Sequence, residues 1–304
     1  MTAGTTAGTS VSTPPVASPG TAPGTAPVTP PAAQKGREAE TRGMGVRRFG
    51  RVNWLGLWTL MSRETMRFLA VWAQTLAAPL ITAGLFLVVF TLALGGQRGD
   101  VLGVPFLQFL APGILMMTVI QNAFANTSSS IMISKVQGNI VDTLMPPLSP
   151  GELLAGYLIG GLLRGLLVAL VIALPLALLV GVGVAHPLWA LAFVLVGAAL
   201  MGALGIVAAI YAGKFDQMAA ITNFVVTPLA FLSGTFYSIQ GLPVAMEWVL
   251  RLNPVFYLID GLRYGMLGVS DAPPLLGLAV SLAATVAVSA LALHWFRTGY
   301  RLKA

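Results

Sequence analysis

Polar side chains are scarce in the long apolar stretches of this chain, and the few present are spaced so that they meet. Asn122, Asn126, Ser129 and Ser130 recur three and four residues apart, which places them on one face of a helix. Thr222, Asn223 and Thr227 form a second group, followed by Pro228, which is expected to kink its helix. Such amides and hydroxyls can bond a neighbouring helix or line a path for a polar group passing by. Arg164 stands about eleven residues into another apolar stretch, roughly 16 Å along a helix. Inside a bilayer an arginine costs at least about 2.5–3.5 kcal/mol. It must therefore pair with protein, meet a headgroup or reach back toward the surface.

Residues for covalent chemistry are missing. The chain has no cysteine, which removes disulfides, thiolate metal sites and cysteine nucleophiles, and only two histidines, His186 and His294. His186, beside Pro187, reads as a solvated loop histidine, and His294 with Trp295 as an interface anchor. Gly213-Lys214 is the only Gly-Lys pair. Ala208 and Phe215 occupy the places where a phosphate-binding loop needs its first glycine and its Ser or Thr. There is no His-Glu-x-x-His helix, no Gly-x-Ser-x-Gly elbow and no intramembrane pair of carboxylates. A membrane enzyme is disfavoured. So is an ion- or proton-coupled secondary transporter, the main rival reading, because such carriers place carboxylates or histidine within their spans. A scaffold without transport is the second rival. If ATP drives this protein, another polypeptide binds it.

The elements that must hold these residues follow from composition. Of 304 residues, 56% are hydrophobic and 9% charged, against about 25% charged in soluble domains, so the chain is an integral membrane protein. Six stretches reach the roughly 20 residues a spanning helix needs: about 70–94, 105–130, 153–181, 188–211, 217–237 and 274–296. Thirteen Lys and Arg fall in segments on one side, eight of them before the first span. Only Arg98, Arg251 and Arg263 fall on the other, which places both termini in the cytoplasm. Residues 1–34, rich in Thr, Pro, Gly and Ala, are expected to be a disordered tail. Residues 35–69 read as a basic segment and a cytoplasmic interfacial helix, and 70–304 as the transmembrane domain. In the interfacial helix Trp54, Leu57, Trp58, Met61, Thr65 and Phe68 are expected on one face, with Gly56, Thr59, Arg63 and Arg67 opposite.

Between the second and third spans, Ile133, Val136, Ile140 and Leu144 recur at near-helical spacing, with Lys135, Asn139 and Asp142 on other faces. This predicts a short amphipathic helix around 136–144. Ser149 as N-cap, Pro150 at the first helical position and Glu152 completing a capping box start the third span. After the fifth span, Gly241-Leu242-Pro243 breaks the chain, and a less apolar piece, interrupted at Asn253-Pro254, runs to Gly268. This reads as an outer re-entrant hairpin, tolerated only where protein or water covers its backbone. Glu247 and Arg251 are spaced as an i,i+4 pair, and Asp260 with Arg263 reads as local pairing at a wet surface. The expected architecture is an all-α membrane protein. It has six transmembrane helices, an N-terminal interfacial amphipathic helix and an outer re-entrant helical hairpin before the last span.

Four blocks, in order, resemble the permease subunit of ABC-2 type transporters, closest to a bacterial inner-membrane subgroup. They are Arg67 to Pro79; Gln108 to Met117 with Asn122 to Ser130; Gln137 to Gly156; and Thr227 to Tyr237 with Leu252 to Gly265. The resemblance covers about Trp54 to Arg297, and the tail before Lys35 departs from it. It implies a multi-pass protein of the bacterial inner membrane that pairs with a second permease copy. It also implies two copies of a separate ATP-binding subunit, which carry ATP and Mg, so that this chain holds no cofactor or metal, performs no catalysis and binds no nucleic acid. Family substrates include drugs, glycolipids and polysaccharides, normally moved outward. Residues implied in coupling to the ATPase are Lys135, Val136, Ile140, Asp142, Leu144, Ser149 and Glu152. Asn122, Asn126, Ser129, Thr222, Asn223, Thr227 and Arg164 are the candidates for the path, and Asn253, Pro254, Tyr257 and Arg263 for an outer gate.

Overall fold

A computed structural model describes residues 52–94, 99–144, 147–240 and 242–302. The expected tail, and the basic segment up to Arg51, lie outside the described residues. Among the described residues the structure is built from helices. Helix α1 is Trp54–Ala70. Six helices are long and apolar enough to cross a membrane: α2 (Ala73–Ala93), α3 (Phe106–Val136), α5 (Pro150–Val180), α6 (Pro187–Tyr211), α7 (Phe215–Leu232) and α10 (Pro274–Thr298). The short α4 (Ile140–Leu144) follows α3. A pair, α8 (Val244–Arg251) and α9 (Pro254–Leu267), separates α7 from α10.

The spans are not equivalent. In their most apolar stretches 78% of α3 and 72% of α6 is buried, against 6% of α2 and 17% of α7. Helices α3 and α6 are therefore the core, and α2 and α7 are left largely uncovered. Small residues set the core spacing. A Cβ on Gly205 would lie 2.6 Å from the Phe124 carbonyl, and one on Gly165 2.9 Å from the Ala198 side chain. Such residues let helix backbones approach where lipid offers no hydrophobic drive. Thr127 uses the proximity to donate to the Gly202 carbonyl at 2.8 Å.

Local geometry follows sequence chemistry at several breaks. The Ser149–Glu152 capping box forms with both reciprocal bonds and opens α5 with Pro150 at its first turn. Asn253 caps α9, its side chain accepting from the Val255 N–H at 2.9 Å with Pro254 next. Asn-Pro is thus a helix start, not merely an interruption. In α7 a π-helical segment, Thr222–Val226, directly precedes Pro228. A proline cannot donate to the carbonyl one turn back, and the wider turn relieves that clash.

Two expectations change. The buried stripe of α1 is Leu57, Leu60, Glu64 and Phe68, whereas Trp54 and Trp58 are exposed. Leu57 and Phe68, expected on the same interfacial face as the tryptophans, therefore turn into the protein, and the apolar arc is split between protein and surroundings. The short helix between the second and third spans also starts later than expected. Ile133 and Val136 end α3, Gly138 turns the chain at φ +75°, and only then does α4 begin.

Candidate functional site: a membrane groove and the polar struts behind it

Helices α2, α3 and α7 enclose a groove of about 790 Å³. Its polar groups come mainly from α3 (Gln121, Asn122, Ser128, Ser129) and α7 (Thr222, Asn223, Thr227), with Thr82 from α2; Phe86, Met117 and Phe231 give it apolar walls. Two polar stripes that are about 100 residues apart in sequence therefore meet. At one end Phe86 meets Phe231 edge-on at 5.7 Å, and Phe90 stacks on Phe236 at 4.5 Å. These rings carried no signal among the many apolar residues of the sequence.

Asn126 and Arg164 do not line the groove. Asn126 is fully buried, its carbonyl and side-chain oxygen both accepting from Arg67 Nη2, at 2.7 and 3.0 Å. It faces α1, because residues four apart share only part of a face. Arg164, the fifteenth of the 31 residues of α5, donates to Asn122 Oδ1 at 3.0 Å. Arginine thus reaches the groove wall from behind, through an amide.

Glu64 is the functional candidate that sequence reasoning missed. It is completely buried where α1 meets α3 and α5, with Gly160 so close that a Cβ there would lie 2.7 Å from Glu64 Cβ. It accepts from Ser130 at 2.7 Å, and from Arg63 and Arg67 at 3.1 Å each. Arg67 continues to Ser129 at 3.0 Å. The available signal was one acidic residue at i−3 from Arg67, on the stripe of Leu57, Leu60 and Phe68.

A second strut ties the start of α1 to the start of α5. Glu152 Oε1 accepts the Asn53 N–H at 2.6 Å, and its Oε2 accepts the Ser149 N–H at 2.6 Å. Asn53 also donates to the Pro147 carbonyl at 3.3 Å. One carboxylate therefore serves two helix N-termini. Leu60 against Gly156, then Glu64 against Gly160, continue the contact, so α1 and α5 advance together turn by turn.

The residues expected to meet an ATPase are placed unevenly. Lys135 folds back onto the end of α6, donating to the carbonyls of Ala209, Ile210 and Ala212 at 3.0, 2.8 and 2.6 Å. These are orphan carbonyls of a helix C-terminus, where a cation is favoured. Ile140 is packed into this chain's own core, so it cannot be part of an exposed ridge; Val136 and Val141 are the exposed apolar residues there. Asp142 is exposed, and the side chain of Leu144 lies outside the described residues.

At the opposite ends of the helices, the α8–α9 pair is held by charge. Glu247 and Arg251 form the expected i,i+4 pair at 2.6 Å on the exposed helix. Arg263 is different. It is fully buried, 3.3 Å from Asp260 and 3.8 Å from Asp271, donates to the Gly234 carbonyl at 2.8 Å, and lies 3.9 Å over the Phe109 ring. Asp260 also caps the Asp271 and Ala272 N–H groups at 2.8 and 2.9 Å, and Asp271 accepts from Ser238. The expectation of pairing at a wet surface is therefore corrected: this cluster is dry and interior. Tyr257 is likewise buried, edge-on to Phe256; His186 is an exposed loop residue, as expected, and stacks on Tyr264 at 4.8 Å.

Comparison with known proteins gives this arrangement a family. The family described as ABC-2 type transporter matches residues 56–267. The inner membrane transport permease YadH of Escherichia coli (strain K12) is 34% identical over 220 residues, covering 72% of this chain and 86% of that protein. Nodulation protein J of Rhizobium leguminosarum bv. viciae is 25% identical over 221 residues, covering 72% and 84%. That of Rhizobium meliloti (strain 1021) is 23% identical over 217 residues, covering 71% and 82%. With six apolar helices and a family match over most of its length, the chain belongs to the ABC-2 type transporters as a multi-pass membrane permease subunit.

Proposed function

We propose that this chain is the permease of a two-component exporter of the bacterial inner membrane. In this reading it works with a second permease copy and two copies of a separate ATP-binding subunit, which carries ATP and Mg. Both termini face the cytoplasm, and the cargo is an amphiphile such as a drug, a lipid-linked glycan or a polysaccharide. The observation that carries the reading is the groove. Its polar residues converge from three helices, chiefly α3 and α7, and two of its three walls, α2 and α7, are the least covered spans, so a second copy can complete it.

The struts supply a route for force. At about 46 Å, the 31-residue α5 exceeds a hydrocarbon core of roughly 30 Å, so its first turns stand near the cytoplasmic surface. Helix α1, with Trp54, Trp58, Leu55 and Met66 exposed on one side, suits the headgroup layer beside them. Coupled through Glu152 and Glu64, α1 and α5 would tilt as a unit and drag the α3 wall through Arg67 and Ser129. The α8–α9 pair is the outer re-entrant element, with Asn253 and Arg263 fixing it and the Phe86/Phe90/Phe231/Phe236 rings closing the path nearby.

Glu64 does not revive the proton-coupled rival. Arg63 and Ser130 take up one of its oxygens and Arg67 the other, so it is a structural strut inside the protein, not a side chain facing the groove. Co-purification with the ATP-binding subunit tests the assignment. Val141→Asp, on the exposed apolar side of α4, should reduce recovery of that subunit while the permease remains monodisperse. Unchanged recovery would remove α4 from the docking surface and leave α1 as the candidate.

A further inference from the structure

Arg263 is fully buried, Arg67 and Arg164 are partly buried, and two of these three arginines have carboxylates. Arg67 pairs with Glu64, and Arg263 sits between Asp260 and Asp271. Arg164 pairs with no carboxylate among the described residues. Its one hydrogen bond goes to the neutral Asn122, and its Nε is buried without a partner. Arg67 holds Asn126, one turn along α3 from the Asn122 that Arg164 holds. The tract behind the α3 wall thus holds Arg67, paired with Glu64, and Arg164, a positive charge with no carboxylate among the described residues; the exposed Arg63 stands at its edge. A buried charge without compensation is unfavourable, and the cheapest compensation is an anion brought close.

The groove is where that anion can sit. Asn122 belongs to both structures: its Oδ1 is held by Arg164, its Nδ2 donates to the Thr118 carbonyl at 3.0 Å, and its body lines the groove. The groove itself contains no charged side chain, so nothing there screens the cationic tract. Only the Asn122 side chain is shown between Arg164 and the groove, and a positive charge behind so thin a wall favours an anion there. The apolar remainder, with Phe86, Met117 and Phe231, suits a hydrocarbon chain attached to that anion.

We infer that the groove prefers amphiphiles with an anionic headgroup, a phosphate, sulfate or carboxylate, and that Arg164 is the residue that sets this preference from behind Asn122. The inference rests on the groove being the transport path.

The test uses the permease with its ATP-binding subunit in nanodiscs and a dodecyl phosphate carrying a terminal diazirine. After photolysis, label should map to α3 and α7. Unlabelled dodecyl phosphate should compete better than dodecyl maltoside by about tenfold, as for a modest charge preference. Inorganic phosphate should not compete; equal competition would mean a bare anion site and overturn the inference. Arg164→Gln should keep the labelling but abolish the preference, and Arg164→Lys should restore it. Asn122→Asp supplies an internal carboxylate to Arg164 and should abolish the preference even if Arg164→Gln misfolds. Labelling of the groove without headgroup preference overturns the inference while leaving the path reading intact, and preference that survives both neutralising variants overturns the role of Arg164. Absence of groove labelling by either class of headgroup overturns the path reading beneath it.

Discussion

Two arginines in this protein, Arg263 buried and Arg164 partly buried, stand in opposite circumstances. Arg263 has two aspartates, a carbonyl and an aromatic face, and its aspartates are in turn tied to backbone N–H groups. Arg164 has one amide and an orphaned Nε. The first is a charge spent on holding two helices and a loop in register. The second is a charge the fold leaves over, and it lies directly behind the groove. Completeness of the partner set therefore separates charge used for structure from charge available to a ligand.

Removing Arg263 should have the largest effect on stability. Arg263→Met strands two buried carboxylates, a change that typically costs about 3–5 kcal/mol. The purified variant should melt far below the parent or fail to yield monodisperse protein. Arg263→Lys should recover only part, since an ammonium cannot bond Gly234 and both aspartates while lying flat on Phe109.

Glu64→Gln ranks next. It keeps the shape but weakens charge-assisted bonds worth about 1.5–3 kcal/mol. Faster hydrogen exchange confined to α1 and the facing turns of α5 is the expected signature; uniform exchange would mean Glu64 is not the strut. Ser149→Ala should cost about 0.5–2 kcal/mol as a lost N-cap and weaken, without abolishing, coupling of ATP hydrolysis to amphiphile. Arg164→Gln should change stability least. It removes an under-paired charge with its single bond, so its melting temperature should stay close to the parent. A collapse like that of Arg263→Met would erase the distinction drawn between the two arginines.

The spans, the capping box at Ser149 and the two polar stripes were legible because each rests on local chemistry: apolar length, a cap at fixed spacing, one face of a helix. What sequence could not say is which helix covers which face. Asn122 and Asn126 share a stripe, yet one lines the groove and the other is locked to α1. The α1 tryptophans and its Leu57–Phe68 stripe are both apolar, and only tertiary contact decides which is buried. Ile140 has the spacing of an exposed ridge, but Gly138 breaks the helix and turns it inward. Glu64 was hidden for the same reason, since its partners Ser130 and Gly160 come from two other helices.

The absence of native cysteine makes one measurement especially direct. A single cysteine at Asn223, on the α7 wall of the groove, is treated with a bulky maleimide in the permease–ATPase complex, with a cysteine at the exposed, lipid-side Leu276 of α10 as control. If the groove is the path, modification at 223 abolishes amphiphile-stimulated ATP hydrolysis, and its rate changes when the complex is trapped with ATP and vanadate, whereas modification at 276 does neither. Equal, harmless modification at both positions, unaffected by nucleotide, would contradict the account.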